Sequence, residues 1–477
     1  MTRPKSNLLI FLLILAFAGQ KCLAQTYATG LSFDDTAYMQ APKKAALTRG
    51  LDSVPSRASI KEFAPTPKHQ GGFNTCTAWA CAYCARTMVD AIRNNWTDKD
   101  SITAHAYSPA FLFRLLSPAD NGCAIPTNID HAFQLMKTKG DLRYTDLPVP
   151  CSPFIDTSQF GKASLGRLKD YARLFDVSSS NNFKIQAVKK SISEKKPVVI
   201  GMICPPSFVH AYNCWQPTEQ PSLTYGGHAM CVVSYDDTLY NGGAFEIQNS
   251  WGENWGNGGY VWIRYSDFAM FVRYGYELID IPEVSINAAD LSGSIKLELL
   301  SNVEMPANLL VSTRGLTVEA AQKTAEPLTI YKTANAYGSG TRFRILISND
   351  QPAYVYAISS DLSNADNVLF PLGNVSAALT YKKNAFAIPD EDSDIKFDGK
   401  PGTDFLCVLY SKSELDINAL IKKIHAEQGT FNERVFKAVG DRIVDPSDVK
   451  FANDKIAFKA SSKGKDILAM VVEMDHK

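Results

Sequence analysis

Three short segments, far apart in the chain, carry residues that could attack a carbonyl carbon. In Gln70-Gly71-Gly72-Phe73-Asn74-Thr75-Cys76-Thr77-Ala78-Trp79-Ala80, a thiol stands where an irregular glycine-containing stretch gives way to a helical pattern. The positive end of a helix dipole lowers a thiol's pKa and favours the thiolate, so Cys76 is expected to be reactive. Gly226-Gly227-His228-Ala229 offers an imidazole as general base and acid. Gln248-Asn249-Ser250-Trp251-Gly252 offers an amide in Asn249 that can accept the imidazole N–H and fix its orientation. Gln70, one irregular turn before Cys76, can aim its amide N–H at a developing oxyanion beside the Cys76 backbone N–H. Trp251 is expected as a wall residue whose indole keeps water from the Asn–His hydrogen bond. Gly227 allows close backbone approach, and Ala229 leaves room for an apolar substrate side chain. Taken singly, Cys76 would be a small buried hydrophobe, His228 a satisfied core histidine, Asn249 a turn residue and Gln70 a surface amide. Their order and spacing argue for the set.

These residues need elements to hold them. Cys81, Cys84, Ala85, Met88 and Ile92 recur at helical spacing and predict one buried helix face behind Cys76. Ser108-Pro109 reads as a capped helix start with proline in the first turn, and 129–137 as another helix. Segments 197–202, 230–235 and 259–263 read as strands. Beyond Ile281-Pro282-Glu283 the texture changes to alternation, as in Ile295, Leu297 and Leu299 against Lys296 and Glu298. Segments 343–345, 354–358 and 405–409 repeat it, which predicts a sandwich-like β domain. One amphipathic helix is expected around Ile417, Leu420, Ile421 and Ile424, and a last strand over 467–472.

The chain as a whole sets limits. Its 477 residues exceed one ordinary core, and 49 basic against 49 acidic residues leave no net charge. No nucleic-acid partner is expected. Residues 1–24 combine a basic start, an apolar run from Leu8 to Ala18 and a small residue before Gln25, the pattern of a secretory signal cleaved after Ala24. No later apolar run is long enough for a transmembrane segment. A secreted or periplasmic protein is expected, in which disulfides are permitted. Residues 25–52 read as a mobile arm or short pro-segment.

Together the motifs resemble the papain family of cysteine peptidases. Gln70-Gly71 with Cys76 six residues after the glutamine, Gly227-His228-Ala229, and Asn249-Ser250-Trp251-Gly252 followed by Trp255-Gly256 and Gly259-Tyr260 stand in the family's order. Pro65 to Lys68, Ser108-Pro109 and Asp130-His131-Ala132-Phe133-Gln134 support the match. The resemblance covers residues 53–280 and implies an α+β, papain-like two-lobed fold over 53–283, a helical lobe plus a β-barrel-like lobe. A mainly β, sandwich-like C-terminal domain over 284–477 would follow. It further implies that Cys76 is the nucleophile and His228 the general base and acid. Asn249 would orient His228, and Gln70 would line the oxyanion hole. The reaction would be hydrolysis of peptide or protein substrates through a thioester acyl-enzyme, with no cofactor and no metal. Cys123 and Cys151 bracket a segment where the family has disulfides, and Cys204 with Cys214 is a second expected bridge; connectivity does not follow from spacing.

The sequence departs from the family in places. Phe73 stands where a disulfide cysteine is usual, and Thr77 where an aromatic residue follows the nucleophile. The glycine strip that pairs with substrate backbone is absent, because Gly122-Cys123 runs into Ala124-Ile125-Pro126. Residues 25–52 are too few for the long inhibitory pro-domain of lysosomal relatives, which leaves a short arm able to lie in the cleft. Two other functions fit parts of the pattern: a non-catalytic scaffold that keeps the fold, and acyl transfer of transglutaminase type. The C-terminal half resembles a bacterial domain found on peptidase-like and envelope proteins. It is expected either to bind an envelope or extracellular partner or to act as a stabilising appendage.

Overall fold

The computed structural model describes residues 27–45, 54–152, 154–280, 290–310, 327–380, 385–390 and 393–477. The expected signal over 1–24 and the expected boundary at Ile281-Pro282-Glu283 lie outside the described residues.

Residues 76–94 form one continuous helix through the centre of the first lobe. It is α-helical over Cys76–Ala78, widens to a π-helix over Trp79–Arg86, and returns to α-helix over Thr87–Asn94. Asn95, at φ 52°, ends it in the left-handed region. The whole π-helical stretch is buried, so Cys81, Cys84, Ala85 and Met88 face the core while Ile92 is only half-buried. Arg86, deep in this helix, pairs with Asp90 one turn on; Asp90 also accepts from Tyr107 Oη at 2.8 Å and Arg143 at 3.0 Å. A buried charge persists only when satisfied in this way. The Ser108 hydroxyl accepts Phe111 N–H and starts helix Pro109–Leu116; Asn128 does the same for Ile129–Thr138.

The second lobe is one sheet. Its strands are β1 (Arg57–Ser59), β2 (Asp170–Arg173), β3 (Val198–Ile203), β4 (Cys214–Trp215), β5 (Gly227–Asp236), β6 (Ala244–Gln248), β7 (Tyr260–Arg264) and β8 (Val272–Ile279). They lie in the order β2-β8-β3-β5-β6-β7-β4, with β1 added to β5. All pairs are antiparallel except β4 with β7. The central helix packs onto β5 and β6: Cys231 Sγ donates to Ala80 O at 3.1 Å and Cys84 Sγ to Gln248 Oε1 at 3.3 Å. This contact sets the helix start against the start of β5.

The C-terminal region is a two-sheet sandwich, as the alternation predicts. One sheet runs Ala307–Leu309, Thr329–Thr333, Ile467–His476, Gly402–Ser411, Ala353–Ser360, Asn367–Phe370. The other runs Phe386–Ile388, Arg342–Asn349, Leu291–Leu299, Ile456–Ala460, Val449–Phe451. Ile295, Leu297, Ile345, Ile347, Val355, Val408 and Met470 fill the space between them. The outer face of the first sheet carries Tyr354, Tyr356, Ile358, Cys407 and Leu409. It is covered by helices Ile417–Ala426 and Phe431–Val439 and by Ala172 and Ile279 of the β1–β8 sheet. The two halves therefore share an apolar seam.

The arm differs from the mobile segment expected. Residues 27–45 are packed, with a short helix Asp35–Gln40 capped by Asp34. Tyr38 on that helix is fully buried, donating to Phe175 O at 2.6 Å and accepting Gly275 N–H at 3.2 Å. Among the described residues no helix is long and apolar enough to cross a membrane.

Candidate active site

Cys76 opens the central helix and is completely buried. The Ala229 and Gly30 backbone N–H groups point at its sulfur, Gly30 from 3.1 Å. His228 precedes Ala229 in β5, opposite Met202 of β3, and so adjoins the residue whose N–H points at the thiol. His228 Nε2 meets Asn249 Oδ1 at 2.8 Å. Asn249 Oδ1 also accepts Ser250 N–H at 2.7 Å. An amide oxygen can only accept, so Nε2 carries the ring proton and Nδ1 is left as a basic lone pair. Nδ1 is buried with no hydrogen-bond partner. Trp251 is buried and stacks on the imidazole at 4.6 Å between ring centroids, as a cover of the His–Asn pair should.

Gln70 is buried and rigidly held. Its Oε1 accepts Ser250 Oγ at 2.6 Å, and its Nε2 donates to Phe73 O at 2.7 Å and Ala28 O at 3.1 Å. Ser250, unremarked as a functional residue in the sequence, thus orients both Gln70 and Asn249.

The thiol is not the lowered thiolate expected from the helix dipole. Burial pushes it up to about 11, and the N–H groups of Ala229, Gly30 and Thr77 only partly offset this. Burial likewise depresses His228 to about 4, against the raising effect of its Asn249 hydrogen bond. Both groups are neutral at pH 7 because burial keeps water from them, and the arm contributes to that burial with Gly30 on the sulfur.

The arm threads the cleft over both lobes. Tyr27 stacks on Trp251 at 4.9 Å. Ala28 O accepts from Trp251 Nε1 at 3.0 Å as well as from Gln70. Leu31 N–H donates to Gly227 O at 3.1 Å, and Thr127 pairs in parallel with Leu31 through Thr127 N–H to Gly30 O at 2.8 Å and Ser32 N–H to Thr127 O at 2.9 Å. Thr127 thus supplies the backbone pairing for which no glycine strip exists. Glycines make the path. A Cβ on Gly30 would fall 2.1 Å from Asn74 O, one on Gly227 would fall 2.7 Å from Leu31 O, and one on Gly201 would fall 2.8 Å from Leu31 Cδ2. Ala229 pairs with Gly201 and so adjoins the Leu31 pocket.

Cys123 and Cys151 are disulfide-bonded. The expected Cys204–Cys214 bridge is absent, and both are free thiols. Cys204 follows β3 while Cys214 begins β4, and β5, β6 and β7 stand between those strands in the sheet. A disulfide needs Cα atoms within about 7 Å, less than the width of two strand spacings.

Part of the chain is similar to known proteins. Residues 80–272 match the model of the papain family cysteine proteases, a span that contains His228 and Asn249 and begins just after Cys76. An uncharacterized peptidase C1-like protein of Acanthamoeba polyphaga mimivirus is 26% identical over 205 residues, 41% of this chain and 63% of the relative's length. Among solved structures, xylellain, a cysteine protease from Xylella fastidiosa, is similar over 54% of this chain and 97% of its own, at 18% identity and a TM-score of 0.43. Digestive procathepsin L 3 of Tenebrio molitor is similar over 51% of this chain and 77% of its own, at 17% identity and a TM-score of 0.40. The segment 80–272, which holds most of the central helix and strands β2 to β7, is similar in sequence to the papain family of cysteine proteases.

Proposed function

We propose that the chain is an exported cysteine peptidase that cleaves peptide bonds with Cys76, His228, Asn249 and Gln70. The observation that carries this reading is the His228 Nε2–Asn249 Oδ1 contact of 2.8 Å, which leaves Nδ1 buried and unpartnered on the residue next to Ala229, whose backbone N–H points at the helix-start thiol. Nδ1 takes the thiol proton, and the sulfur attacks the substrate carbonyl carbon to form a C–S bond. The oxyanion is received by the Cys76 backbone N–H, which has no intrahelical partner, and by Gln70 Nε2. The imidazolium returns the proton to the departing amine as the C–N bond breaks. Water, deprotonated by His228, then hydrolyses the thioester. Export is supported by the pattern of residues 1–24 and by the Cys123–Cys151 disulfide, which needs an oxidising compartment.

The test is covalent labelling of the full chain by an epoxysuccinyl peptide, together with cleavage of a mixed peptide library. Slow labelling confined to Cys76, and cleavage abolished by Cys76→Ala, are expected. No label at Cys76 would favour a scaffold, and isopeptide products in place of cleaved ones would favour acyl transfer.

A further inference from the structure

The arm is held in the cleft mostly from outside it. Around the sulfur it contributes a Gly30 N–H and no attacked carbon: the thiol faces a donor. At its other end, Lys43 forms an isolated β-bridge on each side, to Arg173 and to Val375. Arg173 N–H donates to Pro42 O and Lys44 N–H to Arg173 O, each at 2.8 Å, on the edge of β2. On the opposite edge Lys43 N–H donates to Asn374 O and Ser376 N–H to Lys43 O, again at 2.8 Å, from the C-terminal domain. Asn374 Nδ2 also donates to Met39 O at 2.6 Å. Lys44 is buried in an ion pair with Glu277 of β8. That carboxylate also accepts from Ser191 Oγ at 2.6 Å and Thr380 Oγ1 at 3.2 Å, the latter again from the C-terminal domain. Ala45 is buried within the sandwich core itself. Between tip and base, Asp35 pairs with Arg273 and accepts Tyr274 Oη at 2.7 Å.

We propose that the C-terminal β domain is the latch of an intramolecular inhibitor: its segment 374–376 and Thr380 fix residues 42–45, and so hold residues 27–31 across Cys76. The inference rests on the peptidase reading of that cysteine. Bridges on both sides of Lys43 fix its register, since a one-residue slip would turn each side chain to the opposite face. With the base fixed, Gly30 is delivered opposite Asn74, where only glycine fits, and Leu31 into its pocket over Gly201. A tethered segment held this way competes with substrate at high effective concentration. The domain expected to bind an external partner or merely to stabilise has an internal partner, the arm.

The test uses the full chain with two readouts: the rate of Cys76 labelling by an epoxysuccinyl peptide, and hydrogen exchange of the amides of residues 28–32. Gly30→Ala displaces the tip directly. Ser376→Pro removes the N–H that holds Lys43 O, acting only through the C-terminal domain. Both variants are expected to lose protection over 28–32 and to be labelled at least about tenfold faster, a population shift that lost backbone pairing can supply. A folded Ser376→Pro protein with unchanged protection and labelling would overturn the latch while leaving the peptidase intact. A Gly30→Ala protein that loses protection yet stays unlabelled would instead overturn the peptidase reading. If Ser376→Pro does not fold, the double variant Asn374→Ala with Thr380→Val decides the matter: faster labelling supports the latch, and an unchanged rate ends it.

Discussion

Asn249 Oδ1 accepts two hydrogen bonds, from His228 Nε2 and from Ser250 N–H, and this fixes the ring's tautomer as well as its angle. Replacing Asn249 by alanine leaves the base present but free to turn. Peptide cleavage by Asn249→Ala should show kcat reduced about a hundredfold with KM little changed, since substrate contacts are untouched and only the proton transfer is misaligned. The depressed imidazole gives a second expectation. With the arm seated, His228 stays neutral down to about pH 4; once the arm lifts and water enters, the ring returns toward its ordinary 6.5 and takes up a proton. The lifted state binds more protons, so lowering pH from 6.5 toward 4 favours it, and the preference is lost again above 6.5. The groups around the ring do not reverse this. Asn249, Trp251 and Phe208 carry no charge, and Cys76 is neutral throughout the window. Asp35, which anchors the arm helix, is raised by burial but lowered more by Arg273 and Tyr274, and so stays ionised. Hydrogen exchange over residues 28–32, measured for equal times and corrected for intrinsic rates, should accelerate as pH falls through this range. Equal protection across it would contradict the linkage.

At the scale of elements, the arm helix Asp35–Gln40 is too short to be stable alone, so its order comes from what Tyr38 reaches. Tyr38→Phe keeps the ring stacked on Tyr274, at 4.3 Å between centroids, but strands Gly275 N–H and Phe175 O. It should destabilise the seated arm by about 1–3 kcal/mol, read as faster exchange of the arm at constant pH. None of this was legible in residues 25–52, because the partners of Tyr38 and Gly30 are distant backbone groups that no local pattern announces. The order of the proposed catalytic set was legible for the opposite reason: Cys76, His228 and Asn249 each sit at or next to the end of an element with its own local signal. The π-helical widening at Trp79–Arg86 left no trace in the spacing of Cys81, Cys84 and Ala85. Helix Phe431–Val439 did leave one, since Thr430 and Glu433 form a capping box, yet the surrounding strand alternation masked it. The mistaken Cys204–Cys214 bridge reflects the same limit: closeness in sequence says nothing of strand order, and β3 and β4 are connected but far from neighbours.

At the scale of the whole molecule, the two halves should unfold together. Ala172 and Ile279 of the peptidase sheet sit in the same apolar cluster as Tyr354, Ile358 and Leu409 of the sandwich. Tyr354 Oη donates to Asp170 at 3.2 Å, and Lys137 bridges Asp170 at 2.9 Å and Glu414 at 2.7 Å. Glu277 gathers hydrogen bonds from the arm, from helix Asn181–Ser193 and from Thr380. It is therefore a joint of all three parts. Burial holds Lys44 at about 8 even with Glu277 beside it, so at pH 7 Lys44 keeps its ammonium. Glu277→Gln would leave that ammonium buried without its counter-charge, a loss of about 3–5 kcal/mol. If arm, peptidase lobes and sandwich were independent, calorimetry would show separate transitions and only one would move. The shared seam requires a single transition followed equally by near-ultraviolet signals from the tryptophans, all of which precede residue 263, and by exchange of the sandwich strands. In Glu277→Gln both signals should shift to lower temperature together, and by the same amount.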